Sequence, residues 1–139
     1  MTTCDTAATI ADILTSYRTV AVVGLSPKPH RDSYGVSQYM QAHDWRIIPI
    51  NPNASEILGE PAYPSLTEAA RQHSIELVNV FRNSDDVPPV VDEAIAIGAK
   101  AIWLQLGVEH DVAAAKARTA GLQVVQNKCL KVEHRNQRH

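Results

Sequence analysis

Five short runs rich in β-branched and aliphatic residues punctuate the chain, and four of them lead through a loop into an amphipathic stretch. The runs are Thr19 to Leu25, Arg46 to Ile50, Glu76 to Phe81, Ala101 to Leu106 and Leu122 to Val125. Each is strand-sized, and the first, TVAVVGL, is apolar on both faces, as a strand covered from above and below must be. Between them the spacing predicts helices. Ser33 to Ala42 places Val36, Tyr39 and Met40 on one stripe, and Leu66 to His73 has Ser65 or Thr67 as a candidate N-cap. Another helix runs from Val87 to near Gly98, and the last, Asp111 to Ala120, is closed by Gly121. Pro88 and Pro89 suit a first helical turn, whose N–H groups lack intrahelical partners. Asp85 and Asp86, just before them, read as helix caps. A further helix, roughly Thr6 to Tyr17, occupies the N-terminal 1–17, and 127–139 reads as a C-terminal tail.

Alternation of this kind builds an α/β domain: one Rossmann-like, doubly wound parallel sheet of about five strands, with helices on both faces. The 139 residues suit a single domain. In such sheets ligands bind outside the carboxyl ends of the strands, where the strand order reverses. Function is therefore expected in the loops after Leu25, Ile50, Phe81 and Leu106. A hydrophobic fraction of 45% supports a real core, and a net charge of -2 argues against nucleic acid, which calls for a basic face. Nor does that balance favour an anionic membrane surface, and no apolar run is long enough to span one. No basic start followed by an apolar run marks an N-terminal leader. The two cysteines, Cys4 and Cys129, stand far apart and form no disulfide framework, so the reducing cytoplasm is the expected compartment.

The loop Gly24 to Gly35 reads GLSPKPHRDSYG and sits at the first strand-to-helix turn. Gly24 lets a ligand approach the backbone, and the following helix aims unpaired N–H groups at an anion. Ser26 and Ser33 add hydroxyls, Lys28 and Arg31 add charge, and together they suit phosphates. A nicotinamide dinucleotide fits poorly. The G-x-G-x-x-G fingerprint is missing, and Asn51-Pro52-Asn53 stands where an acid would grip a ribose diol. Losing that acid makes the site more welcoming to an extra ribose phosphate, such as the 3′-phosphate of coenzyme A.

Read together, these pieces resemble the stand-alone CoA-binding proteins, relatives of the CoA-binding domain of the succinyl-CoA synthetase α subunit. The resemblance runs from about Ile13 to His134. It rests on Val20 to Pro29 (VAVVGLSPKP), Ser33 to Val36, Ile48 to Pro52 (IPINP), Gly59-Glu60-Pro61 and Tyr63 to Leu66. Val80-Phe81-Arg82, Asp86-Val87-Pro88, Trp103 to Gly107 (WLQLG), and Cys129 with Glu133-His134 complete it. The resemblance implies coenzyme A or an acyl-CoA as ligand, with Gly24, Ser26 and Lys28 at the phosphates. It implies Asn51, Pro52, Phe81, Arg82, Val87 and Pro88 around the adenosine, and Trp103, Gln105 and Gly107 further along the cleft. Ligase activity is not implied, because the synthetase needs a second domain and a β subunit. Asn83-Ser84 and Asn127-Lys128 depart from the family pattern and reduce its charge.

Cys129 stands between Lys128 and Lys131, and nearby cations make a cysteine more reactive; the alternative is an inert, partly buried thiol. Thiol-disulfide chemistry at Cys129, or NAD(P) binding, is the rival to a pure CoA-binding module. Glu133-His134 reads as a surface pair, and the six histidines show no metal-ligand spacing. Trp103 and Tyr63 favour core positions over stacking on adenine. No linked nucleophile, base and orienting group is visible, and a homo-oligomer or protein partner stays open.

Overall fold

The computed structural model describes residues 6–137, which leaves Cys4 outside the described residues. The strands are β1 (Thr19–Val23), β2 (Arg46–Ile50), β3 (Glu56–Ile57), β4 (Glu60–Pro61), β5 (Leu77–Val80), β6 (Ala101–Leu104) and β7 (Gln123–Val125). The helices are α1 (Thr6–Ser16), α2 (Asp32–Ala42), α3 (Leu66–Ala70), α4 (Val87–Ala96), α5 (Asp111–Thr119) and α6 (Leu130–Gln137). Five strands pair in parallel in the order β2-β1-β5-β6-β7, while β3 and β4 form a separate antiparallel hairpin. The order reverses at β1, whose successors lie on opposite sides of it. This is the Rossmann-like α/β sheet expected from the alternating pattern.

Period-two alternation along the strands divides the core. Ala21, Val23, Val78 and Val80 face α3, α4 and α5, packing against Leu66, Val91 and Ala117. Val20, Val22, Leu77 and Trp103 face the other way, against Ile13 of α1, Met40 of α2 and Leu130 of α6. Ser65 caps α3, its Oγ accepting the Glu68 N–H at 3.1 Å. Asp85 and Asp86 are not side-chain caps. They lie in a 3-10 turn, Ser84–Asp86, and the Asp86 carboxylate faces Arg82 at 3.9 Å instead of a helix N–H.

Within the C-terminal tail, Leu130–Gln137 form a helix. Leu130 is buried in the α1/α2 face of the core. The Trp103 indole N–H donates to the Lys128 carbonyl at 2.8 Å, and the Tyr39 hydroxyl shares a hydrogen bond with His134 Nδ1 at 3.0 Å. Docking, more than propensity, makes this helix. Among the described residues, no helix is long and apolar enough to cross a membrane.

Candidate functional site

The chain turns just past β1 at Gly24, whose φ is +87°. A Cβ there would lie 2.3 Å from the Phe81 carbonyl oxygen. Glycine is therefore required for the loops after β1 and β5 to meet this closely. Beyond it the two serines stitch the loop together. Ser26 Oγ accepts the Lys28 N–H at 3.1 Å, and Ser33 Oγ accepts the Ser26 N–H at 3.0 Å. A hydroxyl that accepts still has its own proton to donate. Arg31 occupies the N-cap of α2 without a side-chain cap bond, so the first turn keeps open N–H groups. Asp32, exposed in that turn, offsets part of this positive end.

Two cavities open along the carboxyl edge of the sheet. The larger, about 1160 Å³, lies between the β1–α2 loop, the segments after β5 and β6, and α6. Arg31, Arg82, Lys131 and Arg135 bring positive charge to it, against Asp32 and Asp86. Phe81, Leu106, Val108 and Val132 supply an apolar stretch, and Leu106 is 66% exposed there. The smaller cavity, about 410 Å³, lies between Asn51-Pro52 and Pro89-Val90. Both share Gly24, Arg82 and Asp86, so they join around one arginine. Small-molecule sites run to roughly 300–1,000 Å³, so the pair accommodates a long ligand. The Arg82–Asp86 pair is half-exposed on both sides, and such pairs contribute little, which leaves Arg82 available to an anion.

Of the residues expected at the site, Gly24, Ser26, Arg31, Ser33, Phe81, Arg82 and Gln105 come together in the larger cavity. Asn51 and Pro52 border the smaller one. Lys28 is exposed on the loop and outside both walls, and Pro89 takes the wall position expected of Pro88. Trp103 requires correction: it is fully buried, with its indole N–H engaged by Lys128, and belongs to the core. Val87 is likewise fully buried, packed on the α4 side of the sheet. The Gly107 N–H donates to Asn127 Oδ1 at 2.7 Å, and its neighbours Leu106 and Val108 line the cavity in its place. Asn51 is a strut. Its Nδ2 donates to the Leu25 carbonyl at 2.9 Å and its Oδ1 accepts the Asn53 N–H at 2.7 Å. That links the β1 and β2 loops instead of presenting a free amide to a ribose.

Lys131, Val132 and Arg135 join the wall without any motif that announces them. The i, i+4 spacing of Lys131 and Arg135 is the one available clue, since it places both on one helical face. The donors as a set fit coenzyme A: several cations, two hydroxyls and a helix N-terminus for phosphates, then an apolar stretch with Gln105 for an amide-bearing arm.

Known proteins share this fold. The chain is 39% identical over 127 residues to the uncharacterized protein YneT of Bacillus subtilis (strain 168), covering 91% of this chain and 93% of that one. A hypothetical protein from Pyrococcus horikoshii OT3 superposes with a TM-score of 0.88 at 38% identity, over 94% of this chain and 90% of that one. The dinucleotide forming acetyl-coenzyme A synthetase 1 of Ca. Korarchaeum cryptofilum shares the fold, with TM-score 0.69 and 21% identity, over 81% of this chain and 26% of that one. Residues 18–135 match the CoA binding domain, and the chain belongs to that family.

Proposed function

We propose that the protein binds coenzyme A or an acyl-CoA through its phosphoadenosine and pyrophosphate, as a carrier or sensor module without ligase chemistry of its own. The junction of the two cavities at Arg82, beside Gly24 and the serine-stitched loop, carries this reading. The adenosine lies in the smaller cavity between Pro52 and Pro89. The pyrophosphate meets Ser26, Ser33, Arg31 and Arg82, and the pantetheine arm follows Phe81, Gln105 and Leu106. Asn51, engaged as a strut at the end of β2, supports CoA over a nicotinamide dinucleotide, because no carboxylate there accepts two ribose hydroxyl protons.

Thermal melts with equal millimolar CoA, dephospho-CoA, NAD and NADP test it. A ligand at a hundredfold excess over its dissociation constant adds about 2.7 kcal/mol to stability. CoA should raise the Tm most and dephospho-CoA less, because charge-assisted bonds to the 3′-phosphate are lost. A shift with NAD equal to that with CoA would exclude the assignment.

A further inference from the structure

Cys129 lies partly buried on the wall of the larger cavity, between β7 and α6. Its carbonyl accepts the Glu133 N–H at 3.0 Å, which makes it the residue that opens the helix. Gln105 stands on the same wall and is only 6% exposed. Its Oε1 accepts the Leu130 N–H at 3.3 Å, which fixes it beside the residue that follows the cysteine. Its Nε2 has no partner among the described residues, yet it is not sealed from the cavity. An amide donor left open on a cavity wall is available to a ligand acceptor. The pantetheine arm carries amide carbonyls and ends in a thiol. A wall that offers an open amide donor beside a cysteine matches both features in order.

We propose that Cys129 exchanges with coenzyme A disulfide, so that the protein holds the coenzyme as a mixed disulfide. The inference rests on the binding reading above. The Cys129 thiolate attacks one sulfur of the disulfide. That S–S bond breaks as the bond to Cys129 Sγ forms, and the other coenzyme leaves as a thiolate that takes up the proton Cys129 released. One disulfide is consumed and one is made, so the step needs no other oxidant. A free thiol reverses it. The cleft thereby acquires a response to oxidised coenzyme that reversible binding alone lacks.

The experiment incubates the full chain with coenzyme A disulfide or with glutathione disulfide at equal concentration and follows intact mass, then maps the modified peptide. A single coenzyme adduct should form on Cys129, vanish with reductant, and be absent from Cys129→Ser. It should form at least about tenfold faster than the glutathione adduct, because a bound nucleotide brings the two sulfurs together. Equal rates would mean that Cys129 is merely exposed, and an adduct on Cys4 alone, or none, would also overturn the proposal. Calorimetry of the wild type with CoA under reductant separates the two failures. Binding without an adduct removes the exchange and keeps the binding reading, whereas no binding removes both.

Discussion

Gly24 and Gly35 line the same cavity and respond to a methyl group in opposite ways. At Gly24 the backbone is left-handed and an added Cβ would press against the Phe81 carbonyl. Left-handed strain alone is about 1–2 kcal/mol for an L-residue, and a backbone clash adds to it. Gly35 sits inside α2 with nothing within 4 Å of an added methyl and no positive φ. There alanine restores about 0.5–1 kcal/mol of helix preference. Urea melts should therefore show Gly24→Ala losing about 2 kcal/mol or more and Gly35→Ala unchanged or more stable. Equal effects at both positions would refute this account of Gly24.

His73 offers a second residue-scale test. Its ring shares a hydrogen bond with the Tyr63 hydroxyl at 3.0 Å. Burial lowers its pKa from the usual 6.5, the Arg46 charge lowers it further, and Glu60 opposes them. The folded state thus favours neutral His73, and the unfolded chain binds the proton more readily. Its contribution is complete above about pH 6.5 and is lost as pH falls through the lowered value. Between about pH 7 and about pH 5 the urea midpoint should fall less in His73→Gln than in the wild type. Parallel profiles would remove His73 from the pH response.

At the scale of elements, α6 supplies Lys131 and Arg135, two of the four lysine and arginine side chains on the larger cavity's wall. Arg135 reaches the wall but is exposed, so Arg135→Ala should leave the Tm unchanged. Hydrogen bonds to charged groups contribute about 1.5–3 kcal/mol, so CoA affinity should drop about tenfold by calorimetry. Unaltered affinity would confine phosphate binding to the β1–α2 loop and Arg82. The strands, the covering helices and the first loop are legible in the sequence because burial on both faces writes continuous apolar runs into it. The segment LKVEHRNQ is not, since it carries only Leu130 and Val132 as apolar residues and is ordered by docking against Trp103 and Tyr39. The β3–β4 hairpin, with two residues per strand, leaves no period to detect. Residue types at the site are readable, but partners are not. Asn51 can be placed at the end of β2 from sequence, while the bond that makes it a strut joins segments far apart in the chain.

At the scale of the molecule, the cavity walls come from four distant stretches: 24–36, 81–86, 105–108 and 129–135. Hydrogen bonds join neighbouring stretches: the Glu109 N–H donates to Ser84 Oγ at 3.0 Å, and the Asn127 N–H donates to the Val108 carbonyl at 3.2 Å. Gly107 to Asn127 and Leu130 to Gln105 tie the late loops together, and Ser26 to Ser33 closes the first loop on itself. A ligand that touches all four lowers the population of every opening that separates them, because only the closed arrangement binds it. Hydrogen exchange followed by mass spectrometry should then show CoA slowing exchange in 24–36, 81–86 and 129–137 together. The hairpin at 56–61 supplies no wall residue and should exchange at an unchanged rate. NAD at the same concentration should leave all of these segments as they were. Protection restricted to the first loop would show that the ligand ends at its phosphates. In that case the arm would not reach Gln105 and α6, and the larger cavity would need a different occupant.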